Sequence, residues 1–163
     1  MIHGKGSIKI GSNFHAVSSR KRSIITLFSP CHLTVIGNGK ISIGEHVGLN
    51  GTTIVAKKHI SIGDNTMIGL NTIIIDHDTH QPWPPESRWS LPGLSSDIII
   101  QNDCWIGMNC IIPKGVNIGK GVVVAAGSIA DVDANSLYAG NPAKKIKSYL
   151  NSKEKDLGLL SNS

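Results

Sequence analysis

From Ile100 onward an aliphatic or small residue returns every six positions, at Ile100, Ile106, Ile112, Ile118, Val124 and Ala130. Glycine often follows directly, as in Ile106-Gly107 and Ile118-Gly119, and a small or β-branched residue stands four positions later at Val116, Val122 and Ser128. The same beat runs earlier through Ile43-Gly44, Leu49 and Val55, slips by one residue, and resumes at Ile62-Gly63, Ile68-Gly69 and Ile74. The N-terminal third is less regular, with Ile10-Gly11 and the stretch from Leu33 to Gly39 as partial matches.

Neither a helix of period 3.6 nor a long strand of period 2 gives a repeat of six. A short strand followed by a turn does: the aliphatic residue faces inward, the small residue permits a tight corner, and the polar residues face water. Three hexapeptides close a triangular coil of about eighteen residues, and stacked coils form a parallel β-helix in which each rung supplies the next with hydrogen-bonding partners. The predicted class is all-β.

The beat breaks once, at "IIIDHDTHQPWPPESRW", Ile73 to Trp89, and restarts near Asp97-Ile98. This predicts a loop over about 76–97. Loops of that length are functional or disordered, and Pro82, Pro84, Pro85 and Pro92 stiffen this one. It holds His77 and His80, flanked by Asp76 and Asp78. A neutral imidazole suits general base catalysis at cellular pH. Asp76 or Asp78 either orients an imidazole and fixes its tautomer, or serves only as a turn residue.

Composition narrows the picture. The chain has 163 residues, 40% hydrophobic but only 4% aromatic, with 18 glycines, which suits many short elements packed by aliphatic side chains. The expected organisation is one domain over 1–163: coils over 1–140 with the loop inside them, then a short C-terminal helix, cap and tail over 141–163. In that cap, Ile146 and Leu150 are expected to cover the open end of the coils. The charge of +5 gathers at Arg20, Lys21, Arg22 and at Lys144, Lys145, Lys147 without an interleaved aromatic platform, which argues against nucleic acid. Met1 to Gly11 has no signal-peptide pattern, and no run approaches the ~18–20 apolar residues of a membrane span. Three cysteines without CxxC spacing support neither a disulfide framework nor a zinc knuckle, and fit a reducing cytoplasm.

The segment "IIIQNDCWIGMNCIIPKGVNIGKGVVVAAGSIADVDANSLYAGNPAKKIKSY", together with the histidine-bearing loop, resembles the closing coils of the hexapeptide-repeat acyltransferases, in their sugar O-acetyltransferase branch. The resemblance covers about residues 41–150. It implies a left-handed parallel β-helix, a homotrimer, acetyl-coenzyme A as cosubstrate, and a sugar or surface-glycan hydroxyl as acceptor. It places His77 at the base position and His80 at the partner position of a motif of His, two residues, then Asp or His, although loop lengths leave the two exchangeable. It further implies that Trp105, Gly107-Met108 and the run Ala125, Ala126, Gly127, Ser128 line the cofactor groove, and that Lys144 and Lys147 meet nucleotide phosphates. Asn50, Trp83 and Arg88 become acceptor-side candidates. Galactoside-type relatives carry an acidic residue near Ala56 or Lys57; this chain has none, so simple galactosides do not carry over.

Three other readings compete. A zinc hydratase on the same prism needs two histidines five positions apart, whereas His77 and His80 are three apart and His59 lies about one coil earlier. A non-enzymatic ice-type binder needs a threonine row, which Thr52, Thr53, Thr66 and Thr72 do not form. An N-acetyltransferase acting on a nucleotide-linked amino sugar uses nearly the same chemistry and is the runner-up.

Overall fold

The computed structural model describes residues 1–19, 21, 28–128 and 136–148, with backbone only for Leu137 and Lys147. Arg20, Arg22, Ala130 and Leu150, named above, lie outside them. The chain winds through five three-strand coils. The first holds β1 (Ile2–Gly4), β2 (Ser7–Ile10) and β3 (His15–Val17); the second β4 (His32–Val35), β5 (Lys40–Ile43) and β6 (Gly48–Asn50). The third holds β7 (Thr53–Ala56), β8 (His59–Ile62) and β9 (Met67–Ile68). The fourth holds β10 (Ile73–Ile75), β11 (Ile98–Ile100) and β12 (Trp105–Ile106), and the fifth β13 (Ile111–Ile112), β14 (Asn117–Ile118) and β15 (Val123–Val124). Strands β16 (Ser136–Ala139) and β17 (Lys144–Ser148) close the series.

Corresponding strands stack into three sheets: β1-β4-β7-β10-β13, β2-β5-β8-β11-β14, and β3-β6-β9-β12-β15-β16-β17. Every pairing is parallel except β16 with β17. This is the expected left-handed parallel β-helix. Its inside is built of aliphatic columns, Leu33-Ile54-Ile74-Ile112 on the first face, Ile43-Ile62-Ile100-Ile118 and Ile41-Ile60-Ile98 on the second, and Leu49-Ile68-Ile106-Val124 on the third. Ten of the eleven largest fully buried side chains among the described residues are isoleucine. The β-branched side chain fits a pleated sheet, and each buried one contributes about 1.5–3 kcal/mol relative to exposure. A prism this narrow has little room for rings.

Two devices hold the coils at strand spacing. Corner residues adopt positive φ and donate their amides one coil back: Asn65 to Glu45, Asp103 to Asp64, Asn109 to Leu70. Asparagine and aspartate tolerate this backbone region better than other side chains. The glycine after each isoleucine serves close approach instead. A Cβ on Gly107 would meet the Ala126 nitrogen at 2.5 Å, and one on Gly69 the Gly107 carbonyl carbon at 2.6 Å. The cysteines also find their place here. Cys104 and Cys110 sit buried at corners, their thiols donating to the carbonyls of Gly119 (3.2 Å) and Ala125 (3.2 Å) in the next coil. Burial pushes both thiols above the usual range.

Two expectations change. Val55 was placed inside by the beat of six, but Ile54 and Ala56 are the buried pair and Val55 is half-buried. The slip lies at the corner before β7: five positions separate Leu49 from Ile54, against six for Ile68 to Ile74. The C-terminal helix is absent over 144–148, which form β17. Strand β16 offers an unpaired edge, and an antiparallel strand satisfies it where a helix would not. Register shifts between Leu137 and Tyr138, leaving Ile146 unpaired in the ladder; its side chain is exposed and does not cover the coil end.

Candidate active site

Asp76 takes the inward position two residues after Ile74, one residue past the Ile75–Val55 pair. A carboxylate there is costly unless its oxygens are met, and they are. The backbone amides of Lys57 and Lys58 donate to Oδ1 and Oδ2 at 2.7 Å each. Oδ1 also lies 3.1 Å from His77 Nδ1. Asp76 is 0% and the His77 side chain 8% exposed. The neutral imidazole that fits this contact carries its hydrogen on Nδ1 and its lone pair on Nε2, and Nε2 has no hydrogen-bond partner among the described residues. Asp78 has a different partner, the Lys114 ammonium at 2.7 Å. Of the two aspartates, Asp76 is the one in contact with an imidazole.

The excursion between β10 and β11 begins as an antiparallel neck: His77 bridges Ser95, the Asp78 amide donates to Leu94 O, and the Ser96 amide to Asp76 O. Lys57 Nζ donates to Gly93 O at 3.1 Å, and Lys58 pairs with Asp97 at 3.2 Å. Beyond the neck, a 3-10 turn at Pro85–Ser87 folds the tip. There His80 Nδ1 lies 3.1 Å from the Arg88 carbonyl, with its ring edge-on to Trp89. His80, Trp83 and Arg88 are exposed, and none of them lines the cavities of the third sheet described below. The structure does not bring them to Asn50.

The groove residues do converge. Asn50, Trp105, Gly107, Met108, Ala125 and Ala126 line one largely apolar groove of about 450 Å³ on the third sheet. It is set apart from His77, which is not among its lining residues. Lys144 lies exposed on β17, two strands beyond β15 on the same sheet. Lys144 and Lys147 lie on a strand, in which residues three apart point to opposite faces, and the Lys147 side chain lies outside the described residues.

A second cavity adjoins the first. It shares Asn50, Gly69 and Trp105 with it and extends past Gly48 and Met67 to His15. None of His15, Gly48 and Met67 stands out in sequence, because only strand register brings three coils together. Among the described residues no three His, Cys, Asp or Glu side chains are placed to hold a metal; His59 instead lies 3.2 Å from Ser42 Oγ. No helix among them is long and apolar enough to cross a membrane.

Known proteins resemble this one along most of its length. The family described as "Hexapeptide repeat of succinyl-transferase" matches residues 59–75 and 97–131, leaving out the excursion between. A protein of Escherichia coli (strain K12), named for a lipopolysaccharide biosynthesis O-acetyl transferase, WbbJ, is 31% identical over 91% of this chain and 75% of its own. A galactoside acetyltransferase solved in complex with coenzyme A superposes with a TM-score of 0.60 at 25% identity, over 90% of this chain and 67% of that one. AntD, an N-acyltransferase from Bacillus cereus solved with dTDP and 3-hydroxybutyryl-CoA, shares the fold (TM-score 0.65, 24% identity, 97% of this chain and 84% of that one). The prism, its single long excursion and a relative matched along nearly the whole chain lead to one conclusion: the protein belongs to the hexapeptide-repeat acyltransferases.

Proposed function

We propose that this acyltransferase moves the acetyl group of acetyl-coenzyme A onto a hydroxyl of a sugar or bacterial surface glycan, with His77 as general base. The observation that carries this reading is the buried Asp76-His77 pair, which holds an imidazole in one orientation with Nε2 free. The acceptor oxygen attacks the thioester carbonyl while its proton passes to His77 Nε2. Collapse of the tetrahedral adduct breaks the carbon–sulfur bond, and the proton returns to the departing thiolate. Such a base contributes about 10²–10⁴-fold. Asp76 keeps the tautomer and stabilises the imidazolium that forms.

The groove of Trp105, Gly107, Ala125 and Ala126 suits pantetheine, because small residues let a slender chain lie against the backbone. Exposed Lys144 offers a point charge to phosphate at the same end. His77 is not on this groove, so the site needs a second copy, and a homotrimer with three shared sites is the assembly inferred. Three free, buried cysteines fit a reducing cytoplasm. The likeness to WbbJ favours a glycan hydroxyl as acceptor.

The test is a panel of neutral sugars, amino sugars, nucleotide sugars and glycan fragments incubated with acetyl-coenzyme A. Thiol release is followed, and products are treated with hydroxylamine, which cleaves esters and spares amides. The expected product is an ester. An amide product on amino sugars alone would replace this reading with N-acylation, and thiol release without an acetylated product would remove it.

A further inference from the structure

The first coil ends all three sheets: β1, β2 and β3 each have a neighbouring strand on one side only. By register its Ile2, Ile10 and Ala16 stand in the inward columns, over Leu33, Ile43 and Leu49. Those three lie buried, whereas Ile2 is 63% and Ile10 39% exposed. The aliphatic inside of the prism therefore reaches the surface here, in an apolar recess of about 150 Å³ that Met1 and Phe14 also line.

Charge gathers at the same end. Residues 1–44, which build the first coil and the first two strands of the second, carry six Lys or Arg and no Asp or Glu. Residues 45–163 carry ten against eleven, so the net charge of +5 originates wholly in the earlier segment. Outward positions of the first coil put His3 on the first face, Lys9 on the second and His15 on the third. Lys5 stands at the corner between β1 and β2, and Lys40 pairs with Ser7 in the ladder. Lys5, Lys9 and Lys40 are exposed and make no ion pair among the described residues. Farther along the prism, Lys58, Lys114 and Lys120 each meet an aspartate.

We infer that this end of the prism is a membrane-docking surface, which holds the protein peripherally on a bilayer of anionic lipid. A second copy docked end to end would set Lys5, Lys9 and Lys40 of both copies against each other, and like charges so placed repel. A neutral apolar partner would leave the lysines unanswered. An anionic bilayer answers both features, with negative charge at its surface and acyl chains beneath. The open edges of β1, β2 and β3 set the depth, because hydrocarbon would leave their backbone groups unsatisfied. The end rests among headgroups, and only apolar side chains such as Ile2 and Ile10 reach toward the acyl chains. The inference is independent of the acetyl-transfer reading.

The test is sedimentation of the intact protein with vesicles of phosphatidylcholine alone, or mixed about two to one with phosphatidylglycerol. Binding is expected to the mixed vesicles only, and it should weaken as salt rises. Lys5→Glu with Lys9→Glu should weaken it about tenfold or more, since each lysine near an anionic surface is worth about fivefold. Lys120→Glu with Lys153→Glu makes the same change of charge elsewhere and should leave binding within about twofold. Ile2→Ser keeps every charge and should still weaken binding by about threefold or more. Assembly and melting temperature are followed in each variant, and should not change. Equal binding to both vesicle types, binding to neither, or equal losses in the two lysine pairs would overturn the inference. So would binding to poly-glutamate as tight as to the mixed vesicles, which would assign this end to an acidic polypeptide. A lipid-free doubling of the assembly's mass that Ile2→Ser abolishes would assign it to a second copy, and would overturn the inference too.

Discussion

Asp76 and Asp78 flank the same imidazole, yet the fold gives them different partners. Asp76 follows Ile74 by two and therefore points inward, where two corner amides and His77 share its oxygens; Asp78 pairs with Lys114 nearer the surface. This separates two substitutions. His77→Ala should lower turnover by about 10²–10⁴-fold with acetyl-coenzyme A affinity nearly intact and the melting temperature little changed. His80 is held only to the Arg88 carbonyl and to Trp89, so His80→Ala should cost tenfold at most by the same comparison; the reverse ranking would move the base to His80. Asp76→Ala should lower both turnover and stability. It leaves buried amide donors unmet, at about 1–3 kcal/mol each, and thermal unfolding beside initial rates would show whether the two losses occur together. The sequence presented both aspartates and both histidines but not this division. Which aspartate faces inward depends on whether the strand phase continues past Ile75, and composition does not carry that.

The legibility of the elements follows their burial. Coils three and four repeat clearly because each has strands on both sides in all three sheets, so their inward strand positions are aliphatic up to Asp76. The first coil is covered on one side only, and its Ile2 and Ile10 are exposed; the pattern fades where burial does. A strand stands at 144–148 in place of the expected helix because the open edge of β16 decides there, which local sequence does not carry. The glycines after isoleucine were legible as a pattern but not as a cause. Close stacking predicts that Gly69→Ala destabilises the fold by about 1–3 kcal/mol, whereas Gly48→Ala, where a Cβ would meet nothing within 4 Å, should be near neutral in denaturant unfolding. Similar losses at both sites would contradict the stacking account. The corner thiols give a pH signature. Folding raises the pKa of Cys104 and Cys110 by desolvation, so above the unfolded thiol value of about 8.5 the unfolded chain releases protons that the folded one keeps. Their contribution to stability is complete below that value and is lost as pH rises beyond it. The slope should flatten in a Cys104→Ala, Cys110→Ala double variant, and an unchanged slope would locate the titration elsewhere.

At the scale of the molecule, one prism presents a groove on its third sheet and a poised imidazole where its first sheet turns into the second. Among the described residues nothing joins them, and the excursion leaves Trp83 and Trp89 open to solvent. Acyl transfer is therefore expected where the His77 neck of one copy meets the groove of another. The groove residues were legible because the repeat places them at matching positions of adjacent coils; the His15, Gly48 and Met67 side of the adjoining cavity was not, since these belong to three different coils. Subunit mixing tests the shared site most directly. His77→Ala removes the base, and Ala126→Trp fills the groove from an exposed position. Each variant alone should be inactive. Co-expressed in equal amounts, they should regain about a quarter of wild-type activity, the share of interfaces in a random trimer that join an intact histidine to an intact groove. No recovery in mixed assemblies shown to contain both chains would place the whole site within one subunit and contradict the account.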